Sequence, residues 1–557
     1  MPGGVTVARL VALGGVLALL SACAGDPDRA AEPAAPMLAS AGTATPAYGD
    51  TYIDSLLGDI SSLIPTITSD GSSHAVGGLI YSGLVRYDKN LAPEGDLAES
   101  WAFSADCRRL TFRLRPGVQW HDGRPFTSDD VVFTWQTIVD PRTPSPYKAD
   151  YVDVERVEAD GPNTVQVYYR QPYAKALTSW ATWMLPRHLL EPFVREGRIR
   201  EAPQNWNAPV GTGPYRFVSR KAGERIVLVA NQEYWEGRPN LSRVVYRVIP
   251  SQATTFLELK AKGVDSAALT ALQYKRQTDY PAFARSYMKF HYPSNAYTYF
   301  GFNLRDPRFA DRRVRQAFAH AINKRELIDG VILGMGREAT GPYKPGTWAY
   351  TDRVQTYPYD MERARKLLAE SGWSERNADG LLVKDGRPFT FEILTNQGND
   401  ERKKIAEILQ SQLRELGVGV EIRILEWAAL LKEHIRKRHF EAMVLGWGTG
   451  VDPDQFVIWH SSQMAPEQMN HIGYANPEAD AALERGRTAC VQVERVKHYH
   501  RLQEILAEDQ PIVFLYFREA LPVVSSRIHG IDPGPNGISF NFPKWFVPRP
   551  LQRYTAG

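Results

Sequence analysis

Cys23 is the side chain whose setting points most directly to a reaction. Leu20, Ser21 and Ala22 stand immediately before it, and the small residues at 21 and 22 suit a peptidase that cuts just ahead of a lipid-modified cysteine. Upstream, Arg9 precedes an apolar run over 10–20 that is too short to span a bilayer as a helix. Residues 1–22 therefore read as an export signal closing on a lipobox, with Cys23 as the lipid-bearing mature N-terminus. An ordinary secretory signal with a chance cysteine is the competing reading.

Other candidates for chemistry are thin. The chain has no HExxH, no GxSxG nucleophile elbow and no GxxxxGK phosphate loop. His498 and His500 stand two apart on an expected helix, so they face different sides, cannot share a metal and read as surface residues. Asp452 and Asp454 flank Pro453, a pattern that more often makes a turn than an acid/base pair. Gly211, Thr212 and Gly213 lack the third glycine and helix start of a phosphate cradle and read as a tight turn. Trp427, Trp447 and Trp459 cluster in sequence, which core packing alone could explain. Cys107 and Cys490 remain after Cys23; two free thiols is the favoured reading and one disulfide the alternative. No cofactor or metal site is expected, and nothing demands catalysis.

These residues need elements to hold them. From 24 to 48 the chain is dominated by Ala, Pro, Gly, Ser, Thr and Asp and buries too little to fold, so it reads as a leash. The body then begins near Thr51, with Tyr52, Ile53 and Asp54 alternating as a strand. It is too long for one core. With 43% hydrophobic and 23% charged residues the composition is that of a globular protein, and a formal net charge of +3 with interleaved signs excludes a phosphate-binding stripe. Nucleic acid is not expected as a partner.

Strand-like and helix-like segments alternate throughout, which argues for an α/β architecture without repeats. Residues 400–416 carry Ile405, Ile408, Leu409, Leu413 and Leu416 on one helical face, with Gly417 as the C-cap. Residues 418–425 follow as a strand with Val418, Val420, Ile422 and Ile424 on its buried face. Further helices are expected over 311–332 and 493–507. The 110–120 segment reads as a strand ending in the Asp122–Gly123 turn.

Four blocks then stand in a recognisable order. They are LAESWAFSADCRRLTFRLRPGVQWHDGRPFTSDDVVFTW at 97–135, VGTGPYRFVSRKAGERIVLVANQEYW at 210–235, FNLRDPRFADRRVRQAFAHAI within 299–322, and 426–455. Together they resemble the family-5 extracellular solute-binding proteins of ABC importers, the dipeptide and oligopeptide binders, over essentially the whole chain after the leash.

The resemblance implies an α/β, two-lobed periplasmic-binding-protein fold of type II, a Venus flytrap, with an extra inserted domain. It implies 1–22 as signal, 23–47 as lipidated cysteine and leash, and a discontinuous lobe I from 48–85, 206–290 and 515–557. The inserted domain takes 86–205 and lobe II takes 291–514. In peptide-binding members a strand ending in Gly and Trp pairs with the ligand backbone; Gly446, Trp447, Gly448 and Thr449 stand there. The family's amine-binding Asp is replaced by Gly450, with Asp452 the nearest candidate, and its carboxylate-binding Arg by Asn396 beside Gln397. Trp427 would line the same space. The implied partners are an ABC permease and ATPase, a small peptide or peptide-like ligand, and a membrane reached by the lipid; the implied state is a monomer, exported to the periplasm or cell surface. The same role for an opine, nickel chelate, haem or oligosaccharide is the alternative, and a periplasmic chaperone or secreted enzyme a more distant one.

Overall fold

The computed structural model describes residues 45–488, 492–535 and 537–554; the export signal, Cys23, nearly all of the leash and Cys490 lie outside them. The alternation at Tyr52 becomes the strand Thr51–Leu56. It pairs in parallel with Arg243–Val248, although the whole inserted segment lies between them in sequence. Arg225–Ala230 and Tyr215–Lys221 complete this four-stranded sheet of lobe I. A second small sheet joins Ser266–Ala268 and Tyr287–Lys289 to either side of Pro522–Ser525 from the far end of the chain.

Arg527 knots these distant segments together. Its guanidinium, buried, donates to Asp265 Oδ1 at 2.7 Å and to the Thr51 carbonyl at 2.6 Å, and also pairs with Asp50. Two carboxylates and a carbonyl offset the several kcal/mol of desolvation that a lone buried cation costs.

The 97–135 block opens the inserted domain. Ala98–Phe103 and Arg109–Leu114 form a hairpin, and Thr164–Tyr169 and Val154–Ala159 extend it into a four-stranded antiparallel sheet. The strand expected over 110–120 stops at Leu114, because Pro116 cannot donate to the ladder and Gly117 turns the chain at φ +78°. Cys107 carries a free thiol in the hairpin turn.

Gly211 and Gly213 form the expected turn, and it is a joint rather than a phosphate cradle. Gly213 N–H donates to the Ile80 carbonyl at 2.8 Å, and a Cβ on Gly211 would stand 1.9 Å from that oxygen. His121 plugs the same turn: its Nε2 donates to the Gly213 carbonyl at 3.0 Å, and its Nδ1 accepts from Gly211 N–H at 3.3 Å.

Lobe II is built on a six-stranded sheet in the order Gly336–Glu338, Ile512–Ala520, Tyr292–Phe302, Ala442–Gly448, Thr390–Asn396, Gly419–Leu425. The helix Asp400–Leu416 ends at Gly417 (φ +91°) and feeds Gly419–Leu425, parallel to Thr390–Asn396, as its periodicity requires. The face expected to be buried loses its cover along the strand: Val418 is buried, Val420 and Ile422 only partly, and Ile424, expected inside, is exposed.

Three expectations need correction. The helix over 311–332 is two, Arg312–Ala321 and Lys324–Gly330, since Asn323 leaves the helix and caps the second by accepting from Glu326 N–H at 3.1 Å. His498 and His500 are half-buried on the helix Gln492–Asp509, not surface residues. The strand Ile512–Ala520 lies wholly in the lobe II sheet, so the chain returns to lobe I at Leu521 rather than 515. Among the described residues no helix is long and apolar enough to cross a membrane, and no cluster of His, Cys, Asp and Glu could hold a metal ion.

Candidate ligand-binding site

The strand Ala442–Gly448 runs antiparallel to Tyr292–Phe302 along its whole length, with Ala442 opposite Phe302 and Gly448 opposite Ala296. On its other side it pairs with Thr390–Asn396 only at Ala442 and Met443. Thr395 Oγ1 still reaches the Val444 carbonyl at 3.0 Å, and beyond it the two strands part. Thr449 N–H donates to the Asn295 carbonyl at 2.7 Å. Alternate residues of an antiparallel pair face the same neighbour, so Trp447 and Leu445 share that side, and the main-chain groups of Gly446 and Gly448 turn to the unpaired edge. An edge with free N–H and C=O groups is where an extended chain can add. Gly448 leaves it clear: a Cβ there would meet nothing within 4 Å.

Asn396 closes one end of that edge and brings with it a residue the sequence reading missed. Its Oδ1 accepts from Arg402 Nη1 at 2.8 Å, and a Cβ on Gly446 would stand 3.1 Å from Arg402 Nη2. Glycine at 446 is what lets the guanidinium lie against the strand. Arg402 makes no ion pair among the described residues; burial first, then the neighbouring Arg518, push its pKa down to about 10. A signal was available. Arg402 sits in the first turn of the helix Asp400–Leu416, where the macrodipole disfavours a cation.

Trp447 is half-buried and lies flat against His471, with ring centroids 5.6 Å apart and planes 13° from parallel. His471 Nδ1 accepts from Arg438 Nη1 at 2.6 Å, which places the imidazole proton on Nε2. Burial and the neighbouring Arg438, Arg436 and Arg305 hold that ring neutral. Trp459, by contrast, is a core residue; it and Trp447 line a cavity of about 10 Å³, room for one water. Trp427 begins a short helix whose Ala429 N–H is capped by Glu426 at 2.9 Å, and it abuts lobe I: a Cβ on Gly58 would stand 2.8 Å from Trp427 Cβ.

Asn396, Arg402, Gly446, Trp447, Gly448 and Thr449 are thus gathered on one strand end. Gly450 continues the chain past it, and a Cβ there would meet only the Asp452 main chain within 4 Å. Asp452 is turned elsewhere: both carboxylate oxygens accept from Arg495, at 2.7 and 2.9 Å. Asp454 is buried against Arg487 Nε at 3.0 Å and Lys175 Nζ at 3.5 Å. Burial alone would raise the Asp454 carboxyl, but Arg487 and Lys175 outweigh it and hold it below the usual carboxylate range. Each acid also makes the turn contacts its type suggests, Asp452 accepting from Asp454 N–H and Asp454 from Phe456 N–H, both at 3.0 Å. An open concavity of about 880 Å³ belongs to none of this; it lies among Arg308, Glu392, Arg414 and Glu441, at the opposite end of Thr390–Asn396 from Asn396.

Two lobes sharing crossover strands, an inserted domain on the first, and an open strand edge at their junction define a periplasmic binding protein. The chain belongs to the bacterial extracellular solute-binding proteins, family 5, whose model matches residues 92–467. It is 31% identical over 543 residues to the oligopeptide-binding protein AppA of Bacillus subtilis, covering 96% of this chain and 97% of that one. The structure of AppA in complex with a nonapeptide superposes with a TM-score of 0.86 at 30% identity, over 90% of this chain and 100% of that one. NikZ from Campylobacter jejuni in complex with Ni(L-His) superposes at 0.81 and 29% identity, over 89% and 99%. Heme-binding protein A of Haemophilus influenzae is 30% identical over 501 residues, 85% of this chain and 88% of that one. The chain is a substrate-binding protein of the ABC-transport type.

Proposed function

We propose that this protein captures a peptide or peptide-like solute in an extended conformation between its lobes and delivers it to an ABC permease and ATPase, tethered to the membrane through lipid on Cys23. The observation that carries the reading is the unpaired edge at Gly446 and Gly448, whose main-chain groups can pair with any extended backbone. AppA, the relative with a bound nonapeptide, supports it. In this reading Trp447, Thr449 and Gly450 form the wall along the solute, Asn396 flanks its end, and Trp427 meets lobe I across the cleft. The inserted domain, 86–205, closes together with lobe I over lobe II. Closure stabilises the bound state because only the closed form touches solute from both sides. A metal chelate is disfavoured at Trp447, since the one lone pair of the neutral His471 ring is taken by Arg438.

Native mass spectrometry of the protein purified from its own host tests the solute: a co-purifying mass series of peptides is expected, and a single non-peptide mass refutes the reading. Cys23→Ser should release the protein from the membrane fraction with solute affinity unchanged, and retention in detergent fractions refutes the anchor.

A further inference from the structure

The two ends of the open strand edge differ in charge, and the difference selects a class of solute. Beyond Gly450 stands Asp452, with both oxygens already bonded to Arg495. A solute ammonium arriving there would have to compete with a guanidinium held by two hydrogen bonds, the geometry in which carboxylate and arginine bind best. At the other end Arg402 lies against Gly446 and, among the described residues, only the neutral Asn396 amide accepts from it. Arg518 stands near it and adds positive charge; Glu401 is the adjacent acid and is already engaged with the Ala271 N–H of lobe I at 3.4 Å. The phenols of Tyr299 and Tyr516 are its other close neighbours, and both are neutral at physiological pH. Among the described residues no carboxylate bonds the Arg402 guanidinium directly, and Glu401 offsets its buried charge only in part, so an anion arriving with the solute would complete the pairing.

Resting on the peptide reading above, we propose that Arg402 binds a carboxylate of the solute at the Gly446 end of the edge, and that no free amine is recognised at the Asp452 end. The class implied is an acid whose amine is blocked, internal or unrecognised.

Calorimetric titration of the full-length chain with matched peptides tests this, each sequence made as the free acid with a free amine, the N-acetyl acid, and the N-acetyl amide. Both acids are expected to bind alike and the amide about tenfold to a hundredfold more weakly, the worth of one charge-assisted pair. Arg402→Gln should erase the difference between acid and amide, and Arg402→Lys should restore part of it, with melting temperatures reporting that each variant is folded. Equal binding of acid and amide, a strict need for the free amine, or discrimination that survives Arg402→Gln overturns the proposal. Should no peptide bind, N-carboxyalkyl amino acids and their esters are titrated in the same way. Binding of the acids alone, lost in Arg402→Gln, then supports Arg402 and removes the peptide reading; equal behaviour of acids and esters, or no binding by either, removes both.

Discussion

Arg487 of lobe II reaches into the inserted domain and bonds Asp150 through Nη2 at 3.0 Å. The same guanidinium holds Asp454 of its own lobe, and Lys175 of the inserted domain sits between the two acids, 2.8 Å from Asp150 and 3.5 Å from Asp454. Ala174 N–H adds a main-chain bond to the Arg487 carbonyl at 2.7 Å. Four charges meet there in a buried cluster just past the strand Ala442–Gly448, and in the proposed closure this cluster can form only when lobe II and the inserted domain are together.

Asp150→Asn should therefore loosen closure more than it unfolds either body. Solute affinity is expected to fall by about thirtyfold or more, the equivalent of the roughly 2–5 kcal/mol that truncating a buried charge pair costs. X-ray scattering at subsaturating solute should report a larger radius of gyration than wild type. Unchanged scattering and affinity would mean that the cluster does not govern closure.

Asp452→Asn behaves differently, because its partner Arg495 belongs to the same lobe. Breaking this pair leaves a largely buried guanidinium and should lower unfolding free energy by about 3–5 kcal/mol in denaturant titration. N-acetylated and free peptides should lose affinity equally in this variant.

The tryptophans separate site from core. Trp459→Ala empties a fully buried position and should cost about 3–5 kcal/mol of stability. Trp447→Ala, half-exposed beside the open edge, should leave the melting temperature nearly unchanged while weakening solute binding. Titration and thermal melts of both variants check the pairing of effects, and the reverse pattern would take Trp447 out of the site.

His121 gives the joint between lobe I and the inserted domain a pH dependence. Burial is the main cause that pushes it down to about 4; the Gly213 carbonyl opposes this, and Arg216 assists it. Below the ordinary value of about 6.5 the unfolded chain takes up a proton that the folded joint refuses. This contribution is thus complete above about pH 6.5 and declines as the pH falls toward 4, by up to about 3 kcal/mol. Denaturant midpoints from pH 7 to 4.5 should fall more steeply for wild type than for His121→Asn.

What could be read from sequence follows from how local each signal is. The helix Asp400–Leu416 with its Gly417 cap, and the strand after it, were legible because periodicity and a left-handed glycine are properties of neighbouring residues. The break at Asn323 was hidden since Ile322 keeps the apolar pattern running while the cap acts through one side-chain bond. The family blocks marked Gly446 and Trp447. They did not mark Arg402, whose role depends on lying across from Gly446, a contact between segments far apart in sequence. Nor could the pairing of Asp452 with Arg495 be read, because the acid alone looks free until the helix Gln492–Asp509 is folded beside it.

The bare edge at Gly446 and Gly448 has a cost outside transport. An unpaired strand end can accept another folded copy as readily as a nutrient, the route by which exposed sheets seed aggregates. Its setting limits that hazard, for Trp427 and Gly58 meet across the lobes and the cluster around Arg487 bridges lobe II to the inserted domain. A single extended chain needs less room beside the edge than another folded sheet, which brings its own side chains and neighbouring strands. The contacts that join the lobes thus also guard the edge against polymerisation.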